Sequence, residues 1–270
     1  MTFSIVARSA DGESWGVAVA SKFLAVGAVV PAAVAQVGAI ATQANANVAY
    51  KGLTLAHLDD GATAPVALQR LLEEDEGRDE RQVGIVDLDG GSASHTGQAC
   101  IEWAGSLTGE GYAIQGNCLT GSEVVEAMEA VWLAGEDLPF ERRLLEALAA
   151  GDEAGGDKRG RQSAALLVVE RDGGYAGLSD TLVDLRVDDH ADPLGELRRL
   201  HRLHDALFGR TPRDRWLTVD DALRTELHER LARAGHDSLA SWAGVENLEE
   251  RVDGEEAIDP VVLERLREAT

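Results

Sequence analysis

From the third residue apolar and polar positions alternate with a period of two. Phe3 to Arg8 and Trp15 to Ala20, where Val17 and Val19 alternate with small residues, flank Ser9-Ala10-Asp11-Gly12-Glu13, which reads as a β-hairpin. Short apolar runs at Ala33 to Gln36 and Ala39 to Gln43, hinged at Gly38, predict two more strands. The period then changes to that of a helix. Leu53 to Leu58 closes at Gly61, and Ala64 to Glu74 sets Val66, Leu68, Leu71 and Leu72 on or near one face. Gln82 to Leu88 and Ser92 to Thr96 read as strands around the turn Asp89-Gly90-Gly91, with further short strands at Cys100 to Trp103 and Gly111 to Gln115. Thr120-Gly121-Ser122-Glu123 has the form of a capping box for a helix to Leu133, and Pro139 stands where a second helix, ending near Ala150, would begin. Ser163 to Val169 and Leu182 to Val187 predict a late pair of strands, followed by an amphipathic helix from Pro193 to Leu207.

Helices in pairs between runs of antiparallel strands predict an α+β architecture rather than a doubly wound sheet. After Gly209, Arg210-Thr211-Pro212 reads as a linker, so the chain divides into a main domain over 1–208 and a small helical module over 209–270 that carries Trp216 and Trp242. No internal repeat or low-complexity tract is found.

Charge narrows the range of partners. The 270 residues carry 48 Asp and Glu against 25 Lys and Arg, a formal net charge of −23 that repels nucleic acid and anionic membranes. We therefore expect no nucleic-acid and no membrane partner, and a small-molecule amide or peptide as substrate. Only three of the basic residues are Lys: Lys22, Lys51 and Lys158. Acid-rich, Lys-poor composition is expected in a high-salt, halophilic cytoplasm, where screening within about 3 Å at 1 M salt removes self-repulsion; a GC-rich genome would favour Arg as well. Cys100 and Cys118 form no CxxC pair, and the apolar stretch Leu24 to Ile40 is interrupted by Gly27, Pro31, Gln36 and Gly38. No disulfide, zinc site or other cofactor, no membrane span and no export signal are expected, and cytoplasmic residence is the default.

The candidate chemistry starts at Thr2. Removal of Met1 would leave one residue carrying both an alcohol nucleophile and an α-amine titrating near roughly 7.7–8.0, so that nucleophile and general base share one residue. Thr is also a good strand former, and position 2 alone is compatible with a purely structural role. Lys22 follows the second strand, where an ammonium could favour the ionised hydroxyl; a salt bridge is the alternative. Ser21 and Gln43 border small apolar segments and are candidates for orienting an amide substrate, whereas Asn45 and Asn47 fit turn hydrogen bonds better. Gly116 or Asn117, at a strand end ahead of a helix, is the candidate oxyanion donor. Lys158, Arg159 and Arg161 concentrate three cations in one loop and suggest an anionic substrate group; a surface loop balancing nearby acids is the alternative. His95 and His190 have no partner at metal-ligand spacing, and GxSxG is absent.

Met1 to Arg8, Gly16-Val17-Ala18-Val19-Ala20-Ser21-Lys22-Phe23, Ala41-Thr42-Gln43, His95-Thr96-Gly97, Gln115-Gly116-Asn117, Gly160 to Ala165 and Leu185 to His190 resemble the DUF1028 family, grouped with N-terminal-nucleophile (Ntn) hydrolases and similar to proteasome β-subunits. That resemblance implies a four-layer αββα sandwich of antiparallel sheets. It also implies Thr2 as nucleophile and Ser163 as a serine near it on a late strand. The acid expected three positions before that serine is Gly160 here. Trp242 to Arg251 and Ile258-Asp259-Pro260 resemble a peptidoglycan-binding-like module. We expect it to pack on the main domain or to support a homo-oligomer. The function expected is an amidohydrolase or peptidase with catalytic Thr2, Lys22, Gly116, Asn117 and Ser163; the competing class is a non-catalytic binding or assembly protein on the same fold.

Overall fold

A computed structural model describes residues 2–209, 211–254 and 256–270. The chain forms two compact units, Met1–Arg199 and Leu200–Thr270. The first holds two antiparallel sheets. One has six strands in the order β10-β9-β2-β1-β8-β7, formed by β1 (Thr2–Arg8), β2 (Ser14–Ser21), β7 (Gly105–Gly109), β8 (Tyr112–Asn117), β9 (Ser163–Glu170) and β10 (Thr181–Val187). The other runs β3-β4-β5-β6, from β3 (Pro31–Val34), β4 (Gly38–Ala44), β5 (Arg81–Asp87) and β6 (Ser92–Thr96).

Period-two alternation decides what each face touches. In β2 the residues Trp15, Val17 and Val19 meet Ala39, Ala41 and Val86 of the four-stranded sheet in one buried cluster, joined by Val6, Ala165 and Val169. The intervening residues face helices. Gly16 lies against α5 (Phe140–Glu153), where an added Cβ would sit 2.6 Å from Leu144 Cδ1, and Tyr112 Oη donates to Glu129 of α4 (Glu123–Ala134) at 2.8 Å. On the four-stranded sheet Ile40, Val83 and Ile85 pack on Tyr50 and Leu58 of α2 (Ala49–Asp59) and on Ala64, Ala67, Leu68 and Leu71 of α3 (Ala64–Glu74). A one-turn α1 (Val26–Val29) precedes β3, and α6 (Pro193–Phe208) follows β10.

Several sequence readings change. Cys100 to Trp103 is not a strand: it is a loop laid over the end of β8, where the Ile101 and Trp103 carbonyls accept the N–H groups of Cys118 and Leu119 at 2.6 and 3.0 Å. The edge strand is β7, whose Gly-Ser-Leu-Thr-Gly carries little apolar signal. The capping box does not form: α4 opens at Glu123, so Ser122 and not Thr120 stands at the N-cap position, and it makes no side-chain cap bond. Pro139 is extended and precedes α5 instead of opening it.

The second unit has its own core. Trp242, Leu227, Leu231, Leu248, Ile258, Val262 and Leu266 are buried together from α7 (Asp221–Ala234), α8 (Leu239–Val245), α9 (Pro260–Glu268) and a small sheet of β11 (Leu217–Thr218), β12 (Val252–Asp253) and β13 (Ala257–Ile258). Arg251 pairs with buried Asp259 at 2.5 Å, and Asp259 also caps α9 through Val261 N. Among the described residues no helix is long and apolar enough to cross a membrane.

Candidate functional site

The register of the sheets places one set of strand ends together: the start of β1, the ends of β2, β4 and β8, and the starts of β5 and β9. Thr2 lies opposite Asn117, Phe3 opposite Ala20, and Ser21 opposite Ser163. Thr2 is buried, and its Oγ1 lies 3.1 Å from Ser21 Oγ. The two hydroxyls thus share a proton-bearing contact at the end of two central strands. Met1, whose removal would free the amine, lies outside the described residues.

Behind Thr2 the space between the sheets is filled by neutral amides. Gln43 Nε2 donates to the Thr2 carbonyl at 3.2 Å and to Gln82 Oε1 at 2.8 Å, while Gln43 Oε1 accepts from Ser4 Oγ at 2.7 Å. Asn117 Nδ2 donates to the same Gln82 oxygen at 2.8 Å and to the Thr2 carbonyl at 3.4 Å. Gln82 Nε2 in turn donates to the carbonyls of Gly116 and Gly105 and to Thr96 Oγ1. Gln115 Nε2 donates to Ser4 Oγ at 2.6 Å, and an added Cβ at Gly84 would lie 2.0 Å from Gln115 Oε1, so a side chain there would displace the Gln115 amide. All four amides are at most 1% exposed. A buried amide without partners costs free energy, so a layer this connected holds each member, and the Thr2 backbone with them, in one position.

This placement revises several roles. Gln43 is inside the sheet interface and fixes the backbone of residue 2 instead of facing a substrate. The Asn117 side chain is likewise spent on the amide layer, and Gly116 lies in mid-ladder, opposite both Phe3 and Gly105. Ser163 Oγ donates to the Phe23 carbonyl at 2.5 Å and accepts from Val26 N at 3.1 Å, pinning the loop after β2. Lys22 is exposed, with Nζ donating to the Arg161 carbonyl at 3.1 Å.

Arg159 and Arg161 are each paired at 2.8 Å, with Asp157 and Asp152. For these two arginines charge balance within the loop prevails over a free anion site. Lys158 Nζ reaches the Glu102 carbonyl at 2.7 Å. Asn45 and Asn47 make rim hydrogen bonds to Glu80 and Asp75. His95 and His190 bond to the backbone of Arg78 and Asp192.

Sequence reasoning missed Ser4, Gln82, Gln115 and Asp157. Their signal is a polar residue inside an apolar strand, as in Gln82-Val83-Gly84-Ile85-Val86. Asp157 receives Lys22 N at 2.9 Å and Arg159 N at 3.0 Å, which puts a buried carboxylate at the strand end despite Gly160. On the rim, Asp75 accepts from Arg81, Tyr50, Asn47 and Gly77 N; the Arg81 guanidinium above all holds its carboxyl well below the usual range. Cys100 and Cys118 are buried free thiols, and burial pushes the Cys100 thiol up, away from nucleophilic use.

Comparison with known proteins adds a family. The profile described as "Family of unknown function (DUF1028)" matches residues 2–197, and one described as "Putative peptidoglycan binding domain" matches residues 223–266. A crystal structure of a protein from Silicibacter pomeroyi, carrying the same DUF1028 label, is similar at 34% identity and a TM-score of 0.69. That likeness covers 76% of this chain and 89% of that one. No curated protein matches.

Proposed function

The chain belongs to the DUF1028 family, and from that footing we propose that it is an amide hydrolase of the N-terminal-nucleophile type with the four-layer αββα arrangement of that class. The observation that carries the reading is the setting of Thr2: a hydroxyl at the start of a central strand, 3.1 Å from Ser21 Oγ, with its carbonyl held by Gln43 and Asn117. The two helix pairs on the outer faces of the two sheets support the layering.

Once Met1 is removed, Thr2 Oγ1 attacks the substrate carbonyl carbon and the α-amine of the same residue takes the hydroxyl proton. The C–N bond breaks, the amine leaves with that proton, and water hydrolyses the Thr2 ester. Ser21 Oγ hydrogen-bonds the nucleophile. Lys22 contributes positive charge from the rim, and Asn117 and Gly116 act through the amide layer. A non-catalytic binding protein on the same fold is the second reading. It is favoured by one observation, that the strand-end N–H groups of Cys118 and Leu119 are spent on the Ile101 and Trp103 carbonyls and so do not serve an oxyanion.

Turnover of a panel of N-acyl amino acids and short peptides separates the two. Thr2→Ala is expected to abolish hydrolysis and Thr2→Ser to retain part of it. Undiminished turnover in a folded Thr2→Ala protein would reject the hydrolase reading.

A further inference from the structure

All three lysines of the chain stand at the Thr2 end of the sheets. Lys22 follows β2 directly, Lys51 lies in the first turn of α2 just past β4, and Lys158 lies in the loop before β9. Their amino groups share one arrangement: Lys22 Nζ donates to the Arg161 carbonyl at 3.1 Å, Lys51 Nζ to the Ala28 carbonyl at 3.2 Å, and Lys158 Nζ to the Glu102 carbonyl at 2.7 Å. Among the described residues none of the three pairs with a carboxylate, whereas Arg159 and Arg161 beside them are both neutralised. In a chain of net charge −23, unneutralised ammonium groups gathered at one end call for a counter-charge. An ammonium has three donors, so one carbonyl anchor leaves each lysine with two.

Lys22 and Lys158 are close in the network. Lys22 N donates to the Asp157 carboxylate, and Lys158 N donates to the carbonyl of Cys118, which follows the Asn117 paired with Thr2. Lys51 is anchored to α1 and is half-buried. The end is not uniformly positive, since Asp188, Asp189 and Glu102 are exposed there. Short-range donors, not a broad field, would therefore select the ligand. Beside the cations lie exposed apolar side chains: Phe23 next to Lys22 is 50% exposed, and Ile101 next to Glu102 is 57% exposed.

We propose that Lys22 and Lys158 form a carboxylate-recognising rim beside Thr2, so that the substrate is a small amide bearing both a carboxylate and an apolar side chain, such as an N-acylated apolar amino acid. The inference rests on the hydrolase reading for the word substrate, but its test does not need turnover. N-acetyl-leucine and N-acetyl-leucinamide are titrated into the full-length Thr2→Ala protein at low salt, following backbone amide NMR shifts.

The acid is expected to bind at least about tenfold more tightly than the neutral amide. Lys22→Gln and Lys158→Gln each lower acid affinity about three- to fivefold, the range of a single exposed ion pair, and leave the leucinamide affinity unchanged. Lys51→Gln changes the preference less than twofold, about 0.4 kcal/mol at most. Equal binding of acid and amide, or a preference retained in the folded Lys22→Gln/Lys158→Gln double variant, overturns the rim. Loss of the hydrolase reading would show instead as undiminished turnover in Thr2→Ala, with the binding preference intact.

Discussion

The layer between the two sheets has two halves built on opposite principles. Toward the hairpin turns it is dry: Val6, Trp15, Val17, Val86 and Val169 pack as a hydrocarbon cluster, with Trp15 Nε1 donating to the Asp87 carbonyl at its edge. Toward Thr2 the same layer is made of Ser4, Gln43, Gln82, Gln115 and Asn117, equally buried and joined by side-chain hydrogen bonds. Apolar contacts supply burial free energy but tolerate small shifts of one sheet over the other. Directional bonds among amides do not tolerate them, because each broken bond strands a buried donor or acceptor. The dry half supplies stability, and the amide half fixes the register at which Thr2 is presented. Backbone strain does not separate the two halves: Ala25, Ala44 and Cys118 hold φ between 52° and 67° at the Thr2 end, and Gln36, Asp172 and Ala176 hold φ between 55° and 61° in the turns at the other end. Non-glycine residues at such φ cost of order 1–2 kcal/mol each and persist only in a well-determined surrounding.

Substitutions in the two halves should therefore differ in kind. Trp15→Ala, in the dry half, is expected to have the largest stability effect, about 3–5 kcal/mol in urea unfolding, with little change in residue-2 reactivity in the protein that remains folded. Gln82→Leu is expected to cost about 2–4 kcal/mol by stranding Asn117, Gln43 and the Gly116 carbonyl. Unlike Trp15→Ala, it should shift the Thr2 and Ser21 resonances in NMR. If Gln82→Leu is neutral and leaves those resonances in place, the assignment of register control to the amides is wrong.

Asp75→Asn sharpens the comparison at the rim. The folded-state pKa of Asp75 is depressed, chiefly by Arg81, so its contribution is complete above the unfolded carboxylate pKa of about 3.9 and is lost as pH falls below it. Wild type should lose roughly 1–2 kcal/mol more than Asp75→Asn on acidification below about pH 4; parallel stability curves would contradict this. Ser21→Ala, the smallest change, is expected to cost about 1 kcal/mol or less in stability while altering the reactivity of Thr2.

Much of the dry half was legible in the sequence, because it obeys periodicity: Trp15 to Ala20 falls within β2, and Gln82 to Leu88 falls on β5 to within a residue at each end. Outside that half, Ala64 to Glu74 and Ser92 to Thr96 form at their predicted bounds. The edge strand β7 was not legible, since Gly-Ser-Leu-Thr-Gly lacks alternation, and the apolar Cys100 to Trp103 serves as a cover for β8 instead of a strand. The amide half was illegible for another reason. Its bonds join residues up to 115 positions apart, and a lone Gln in a strand carries no mark of its partner. In the cationic loop the sequence left two readings open, and only the structure shows which cations are paired: Arg159 and Arg161 are balanced by Asp157 and Asp152, whereas Lys158 is anchored on a carbonyl.

The central claim concerns residue 2, and intact-mass spectrometry after treatment with an acylating β-lactone tests it most directly. The account predicts a chain that begins at Thr2 and gains a single acyl group mapping to that residue, with no gain in Thr2→Ala. A chain that keeps Met1 in protein from its native host, or equal acylation of wild type and Thr2→Ala, would contradict it.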